Sequence, residues 1–128
     1  MTRAGLTIAV SLASLPFIVP HVLEDFSLGI DGRVGLSTGA GAFLLGGWLA
    51  AQSLGLVLIA AARRGGWLLT FVVGLVWAVV AVADHGPAIL AGGFREGATS
   101  VLWAVGLIVT QATSAALALS GWRRERRA

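Results

Sequence analysis

The chain has 128 residues, of which 57% are hydrophobic and 12% are charged, and it contains nine arginines, six acids, no lysine and no cysteine. A soluble domain carries roughly twice this charged fraction, and so few charged groups cannot cover the surface of a water-soluble fold. The composition therefore excludes an ordinary soluble domain. The missing cysteines also exclude disulfides, thiolate metal sites and thiol nucleophiles. The net charge is only +3, and the arginines lie at the ends of apolar segments, so we expect no nucleic-acid partner.

Charged residues divide the chain into four long uncharged stretches, over residues 4–23, 34–62, 65–83 and 97–122. A helix needs roughly 20 apolar residues to cross the hydrocarbon core of a bilayer. The stretches lack the strict alternation that is typical of barrel strands. The sequence therefore predicts an all-α integral membrane protein. We expect one transmembrane domain over residues 1–128, an antiparallel four-helix bundle with spans of about 4–23, 36–62, 66–84 and 99–121.

Hydroxyl side chains indicate where the second and fourth spans begin. Ser37 or Thr38 is expected to cap the second span, and Thr99 or Ser100 the fourth, because a hydroxyl accepts a hydrogen bond from a free backbone N–H.

Glycine and proline indicate where two spans end. The short link at residues 63–66 predicts an antiparallel hairpin in which glycine ends the second helix. The third span is expected to end at Asp84 or His85, because Gly86 and Pro87 follow and proline disfavours a helical residue before it.

The arginines are distributed unevenly between the two ends of the predicted bundle. Seven fall on the side of the chain termini and two on the other side, whereas five of the six acids show the reverse distribution. Because cytoplasmic loops are enriched in positive residues, we expect both termini in the cytoplasm and a multi-pass protein of the cell inner (plasma) membrane. Cleavage of the first span as a signal peptide is the alternative for the N-terminus.

Both histidines stand beside carboxylates at the predicted outer ends of the first and third spans. If the first helix continues, His21 shares a face with Glu24 and Asp25 at i+3 and i+4 spacing. Asp84 and His85 are neighbours at the end of the third span. We expect these five side chains to form a catalytic group, and His21, Asp25, Asp84 and His85 to be its metal ligands.

Several chemistries fit such a group. Two imidazoles with carboxylates suit a divalent ion such as Zn, Fe or Mn. Without a metal, the same side chains can act as acid and base. Haem held between the two imidazoles is the weaker alternative, because the helix is expected to break at His85. The residues can also simply mark the membrane boundary.

Other polar and aromatic side chains are predicted to contact a substrate. Arg33 and Arg95 precede the second and fourth spans, where they can pair with the outer acids or hold an anionic group. The remaining candidates lie within the spans, where amides require hydrogen-bond partners and indoles can line an apolar pocket: Gln52, Gln111, Trp48 and Trp103.

Three functions from different classes fit the sequence. The first is a membrane protein whose histidine and carboxylate site binds a divalent cation or performs acid/base chemistry on a lipid or apolar small molecule. The second is an accessory or cofactor-holding subunit of a larger membrane complex, and the third is a small carrier or channel for protons, cations or hydrophobic compounds. Membrane lipids are the expected partners, with a homo-oligomer or a larger complex as further options. No nucleotide-binding or hydrolase motif is present.

Overall fold

The computed structural model describes residues 1–29, 32, 35–92 and 97–126. These residues fold into helices joined by short connections. The helices are α1 (Arg3–Leu12), α2 (Leu15–Ser27), α3 (Thr38–Ala60), α4 (Arg64–Leu90) and α5 (Ala98–Glu125). Only a turn at Ala13 and Ser14 separates α1 from α2, so the two helices together form the first span. The all-helical prediction is confirmed.

Within the described residues, four segments are long and apolar enough to cross a membrane. They contain 25, 23, 27 and 28 residues, whereas about 20 suffice. Large apolar side chains such as Phe43, Val79 and Leu102 are more than half exposed on the outside of the bundle. An exposed apolar surface of this kind is stable in lipid rather than in water. The length and composition of these four candidate spans therefore indicate a multi-pass membrane protein.

The start of α3 agrees with the prediction, and the start of α5 differs from it. Ser37 caps α3, and its hydroxyl accepts a hydrogen bond from the Ala40 N–H at 3.2 Å. The cap of α5 is instead Gly97, which has a φ of +83° that favours glycine. The prediction of Thr99 or Ser100 as the cap is wrong, because the turn at Gly97 starts the helix earlier and places Ser100 inside it.

Helix α4 does not end at Asp84 or His85, so that prediction is wrong. It continues through Gly86 and Pro87 to Leu90. The restriction on a residue before proline arises partly from a clash with its Cβ, which glycine lacks. Gly86 therefore allows the helix to pass through the proline, and Asp84 and His85 project from a continuous helix.

The hairpin between α3 and α4 uses its glycines differently from the prediction. Ala62, with a φ of +53°, takes the left-handed position after α3, and the glycines lie in the first turn of α4. A Cβ on Gly66 would lie 2.5 Å from the Ile59 backbone nitrogen. Glycine is therefore needed where the two helices touch, and not where the first of them ends.

Helix α5 is the centre of the packing. It packs extensively against α4 and also against α1 and α2, while α3 packs on α4 and touches α1. One apolar core contains Ile18, Ala81 and Leu107, and a second contains Ile59, Trp67 and Ala118. Because α2 and α4 both flank α5, side chains near their ends can meet across its surface.

We name the two ends of the bundle by their residues. The histidine end contains His21 and His85, and the arginine end contains Arg63, Arg64, Arg123 and Arg124.

Candidate metal centre

The two histidines contact each other at the histidine end. Their Nε2 atoms are 3.0 Å apart, and their rings meet edge to face with centroids 4.6 Å apart and planes at 77°. His21 is buried, with 5% of its surface exposed, and His85 is partly buried. The helices α2 and α4 are thus joined directly by an imidazole pair, as the sequence analysis expected.

A carboxylate approaches each of these two nitrogens. Asp25 Oδ2 lies 3.4 Å from His21 Nε2, one helical turn along α2. Asp84 Oδ2 lies 3.3 Å from His85 Nε2, and its side chain is about half exposed. The i+4 spacing of His21 and Asp25 therefore has the predicted effect. Three of the predicted ligands, His21, Asp25 and His85, meet at one place, and Asp84 contacts His85 beside them.

Two neutral imidazoles cannot provide a hydrogen for each of the three contacts between the two Nε2 atoms and the two carboxylate oxygens. Each Nε2 carries either one hydrogen or one lone pair. If His21 Nε2 donates to His85 Nε2, the His85 lone pair accepts that hydrogen. The same lone pair then also lies beside an oxygen of Asp84, which is a repulsive contact. The converse arrangement leaves a lone pair of His21 beside Asp25. A cation removes this conflict, because it accepts lone pairs from every atom of the group.

The spacing of the atoms also fits one ion. Ligand atoms at about 2.0–2.2 Å from an ion lie about 2.8–3.6 Å apart at tetrahedral or octahedral angles. The separations of 3.0 Å between the imidazoles and 3.4 Å between His21 and Asp25 fall in this interval. Ligand atoms of His21, Asp25 and His85 all lie within 4.8 Å of one another. The group could therefore hold a metal ion.

The second ring nitrogen of His21 has a different environment. His21 Nδ1 is buried, and among the described residues it has no hydrogen-bond partner. Most metal-bound histidines donate this N–H to a carboxylate, a carbonyl or water. The orientation of the His21 ring therefore depends on packing and on the contacts of its Nε2 atom.

Glu24, the remaining predicted member of the group, has another partner. Its Oε1 accepts a hydrogen bond from the Ser100 hydroxyl at 2.5 Å, which joins α2 to α5. Ser100 is almost fully buried. Sequence reasoning treated this serine as a helix cap and missed its role, since nothing in its own neighbourhood indicates a partner 76 positions away.

Gln52 and Gln111 lie deeper, in a buried polar network. Gln111 Nε2 donates to Gln52 Oε1 at 3.3 Å and to Ser14 Oγ at 2.9 Å. Gln52 Nε2 donates to the Ser11 carbonyl at 3.3 Å, and the Ser11 hydroxyl contacts the Ser114 hydroxyl. The prediction that both glutamines face the interior and bond across helices is confirmed. The part of Ser11 and Ser14, which lie near the break between α1 and α2, in this network was missed.

The remaining predicted substrate contacts are two tryptophans and two arginines. Trp103 packs on Phe17, with ring centroids 6.4 Å apart and planes at 53°. Trp48 is partly buried on α3. Arg33 and Arg95 lie outside the described residues. A substrate role for these side chains and for the two glutamines stays a prediction.

Comparisons with known proteins do not place this chain in a protein family. No protein family, curated protein or solved structure matches the chain. The function is therefore argued from the site alone.

Proposed function

We propose that the protein binds a divalent transition-metal ion at the histidine end, with His21, His85 and Asp25 as ligands and Asp84 as a fourth ligand. The observation that carries the proposal is the 3.0 Å contact between two imidazole nitrogens, each of which also faces a carboxylate oxygen. Two imidazoles with one or two carboxylates suit zinc, and they also suit iron(II) or manganese.

If only His21, His85 and Asp25 bound a four-coordinate ion, or if the ion were six-coordinate, a coordination position would remain for water or a substrate. A bound divalent ion acts there as a Lewis acid and lowers the pKa of its water. Since the ligands lie near the ends of two spans, the substrate we propose is a lipid or another apolar molecule that reaches the site from the membrane. The excess of arginine on the side of the termini supports a plasma-membrane protein with its termini in the cytoplasm and this site outside.

The test begins with the metal content of the protein. After purification in detergent, elemental analysis and titration with Zn²⁺, Fe²⁺ and Mn²⁺ should give one ion per chain. Loss of an outer-shell partner alone lowers metal affinity by about 10–100-fold. His21→Ala and His85→Ala each remove a direct ligand, so each should reach at least the upper end of that range.

The chain offers a matched pair of variants for the carboxylate. Asp25→Asn removes a proposed ligand, whereas Glu24→Gln makes the same charge change at the neighbouring residue, whose oxygen faces Ser100. Asp25→Asn should weaken metal binding, and Glu24→Gln should leave it nearly unchanged. Circular dichroism of each variant checks that the helices are intact. Equal metal affinity in the wild-type protein and the folded His21→Ala variant would contradict the proposal.

The 3.0 Å contact also favours a second function, in which the imidazoles share a proton and act as acid and base without a metal. Ring nitrogen chemical shifts distinguish the two functions. A metal shifts both Nε2 signals on titration, whereas a shared proton gives coupled signals that added metal does not change. An optical spectrum without a Soret band excludes haem.

The accessory-subunit and carrier alternatives stay open as proposals. Co-purification with a larger assembly would favour the first. The carrier has less support, because the apolar core of Ile18, Ala81 and Leu107 lies between the histidine pair and the glutamine network along the helices.

A further inference from the structure

A groove lies on the outer surface of α5 near the arginine end, at the opposite end of the bundle from the histidine pair. It has a volume of about 390 Å³ and is lined by Ala116, Leu119, Ser120, Arg123 and Arg124. Ligand sites in proteins have volumes of about 300–1,000 Å³. The groove is therefore large enough for a small ligand or for part of a lipid.

The lining changes from apolar to cationic along the helix. Ala116 and Leu119 form the part toward the middle of the span, Ser120 supplies a hydroxyl, and the two arginines lie at the end. Spacings of three and four residues place these side chains on one face of α5. A ligand that matches the groove is apolar at one end and anionic at the other.

The neighbouring charged residues are already engaged. The Glu125 carboxylate accepts a hydrogen bond from Trp67 Nε1 at 2.6 Å, and the Arg126 guanidinium lies 4.5 Å from the centre of the Trp122 ring. Neither Arg123 nor Arg124 has an ion pair or hydrogen bond to another side chain in the part of the chain that the structure describes. Two exposed guanidinium groups thus remain for an external anion.

We infer that this groove binds an anionic phospholipid, with the phosphate on Arg123 and Arg124 and the start of an acyl chain against Ala116 and Leu119. Guanidinium groups bind phosphate oxygens in a bidentate geometry, and basic pockets beside membrane helices hold anionic headgroups. A free phosphate ion has no part that would cover the apolar end of the groove. The phospholipid is therefore the occupant that fits both ends.

Native mass spectrometry of the full chain in detergent tests the inference. Dioleoyl phosphatidylglycerol and dioleoyl phosphatidylcholine have the same acyl chains, so a difference in affinity reports the headgroup. The phosphatidylglycerol should bind more tightly to the wild-type protein. An arginine near an anionic surface is worth about fivefold in affinity, so Arg123→Gln with Arg124→Gln should weaken that binding roughly 30-fold.

The arginine end supplies a matched control. Arg63→Gln with Arg64→Gln removes the same charge from the same end of the bundle, but these residues do not line the groove. This pair should leave phosphatidylglycerol binding close to the wild-type value. Equal losses in both double variants would overturn the inference in favour of general attraction to the basic end.

Two further measurements keep the inference testable if a double variant fails to fold. Ala116→Phe fills the apolar part of the groove without changing any charge, and it should reduce phosphatidylglycerol binding. Inorganic phosphate should not displace the bound lipid. Unchanged binding in Ala116→Phe, displacement by inorganic phosphate, or equal affinity for the two lipids in the wild-type protein would each overturn the inference.

Discussion

Two adjacent glycines in the first turn of α4 provide a sharp test of the packing. A Cβ on Gly66 would lie 2.5 Å from the Ile59 backbone nitrogen and 2.8 Å from the Gly55 carbonyl oxygen, whereas a Cβ on Gly65 would meet nothing within 4 Å. Backbone atoms of α3 cannot rotate away as a side chain can. Gly66→Ala must therefore push α4 away from α3, and Gly65→Ala changes only the local helix.

The expected magnitude follows from these distances. Carbon atoms pack at about 3.5–4.0 Å, so the Gly66→Ala variant needs a shift of about 1 Å. Inserting a methyl group into a well-packed contact destabilises a protein by about 1–3 kcal/mol. Replacing glycine by alanine in a helix contributes up to about 1 kcal/mol of stability, and this gain applies to both variants. The free energy of unfolding of Gly66→Ala should therefore be about 1–3 kcal/mol below that of Gly65→Ala.

The assay is unfolding in mixed micelles by increasing amounts of sodium dodecyl sulfate, followed by circular dichroism. Because the two substitutions are chemically identical and adjacent, effects on the detergent and on the unfolded chain cancel in the comparison. Equal free energies of unfolding for the two variants would refute the close approach of α3 and α4 at this residue.

Two further changes test the hydrogen bonds between spans. Gln111→Leu removes the donor to Ser14 and Gln52 and should lower the free energy of unfolding by about 0.6–1.7 kcal/mol, measured in the same mixed micelles; a stability equal to that of the wild-type protein would mean that the glutamine network adds nothing to folding. Trp67→Phe keeps an aromatic ring but loses the hydrogen bond to Glu125, so it should be destabilised by about 0.5–1.5 kcal/mol. Adding Glu125→Gln to Trp67→Phe should then lower the free energy of unfolding only slightly further. A second decrease of the same size would contradict the hydrogen bond between Trp67 and Glu125.

Local spacing predicts contacts within one helix well, and it predicts contacts between helices poorly. The pairing of His21 with Asp25 follows from the i+4 geometry of any helix that continues through both residues. The meeting of His21 with His85 was expected from their similar depth in the membrane. The choice of Ser100 as the partner of Glu24 depends on the rotation of α5 about its axis, which no pattern near Ser100 specifies.

Gly66 and Gly86, which the sequence analysis places at helix ends, lie inside α4. Gly86 removes the Cβ that would clash with Pro87, so α4 continues. Gly66 allows the backbones of α3 and α4 to touch, and a Cβ on Gly106 would overlap the Phe17 ring. Small residues have this function in membrane bundles, where close helix contact supplies much of the stability. A sequence alone does not show which glycine faces a neighbour.

The packing and the proposed metal site depend on each other through α5. On α2, Phe17 packs against Gly106 of α5, and Glu24 accepts a hydrogen bond from Ser100 of α5. Helix α4 also packs on α5. The separation of the two imidazoles is therefore set by contacts that lie away from the site. In return, an ion that binds His21 and His85 links α2 directly to α4 and binds only the folded bundle. At a concentration of 100 times its Kd, such an ion adds about 2.7 kcal/mol to the free energy of unfolding. The histidine pair is thus placed where binding of one ion can stabilise three helices together.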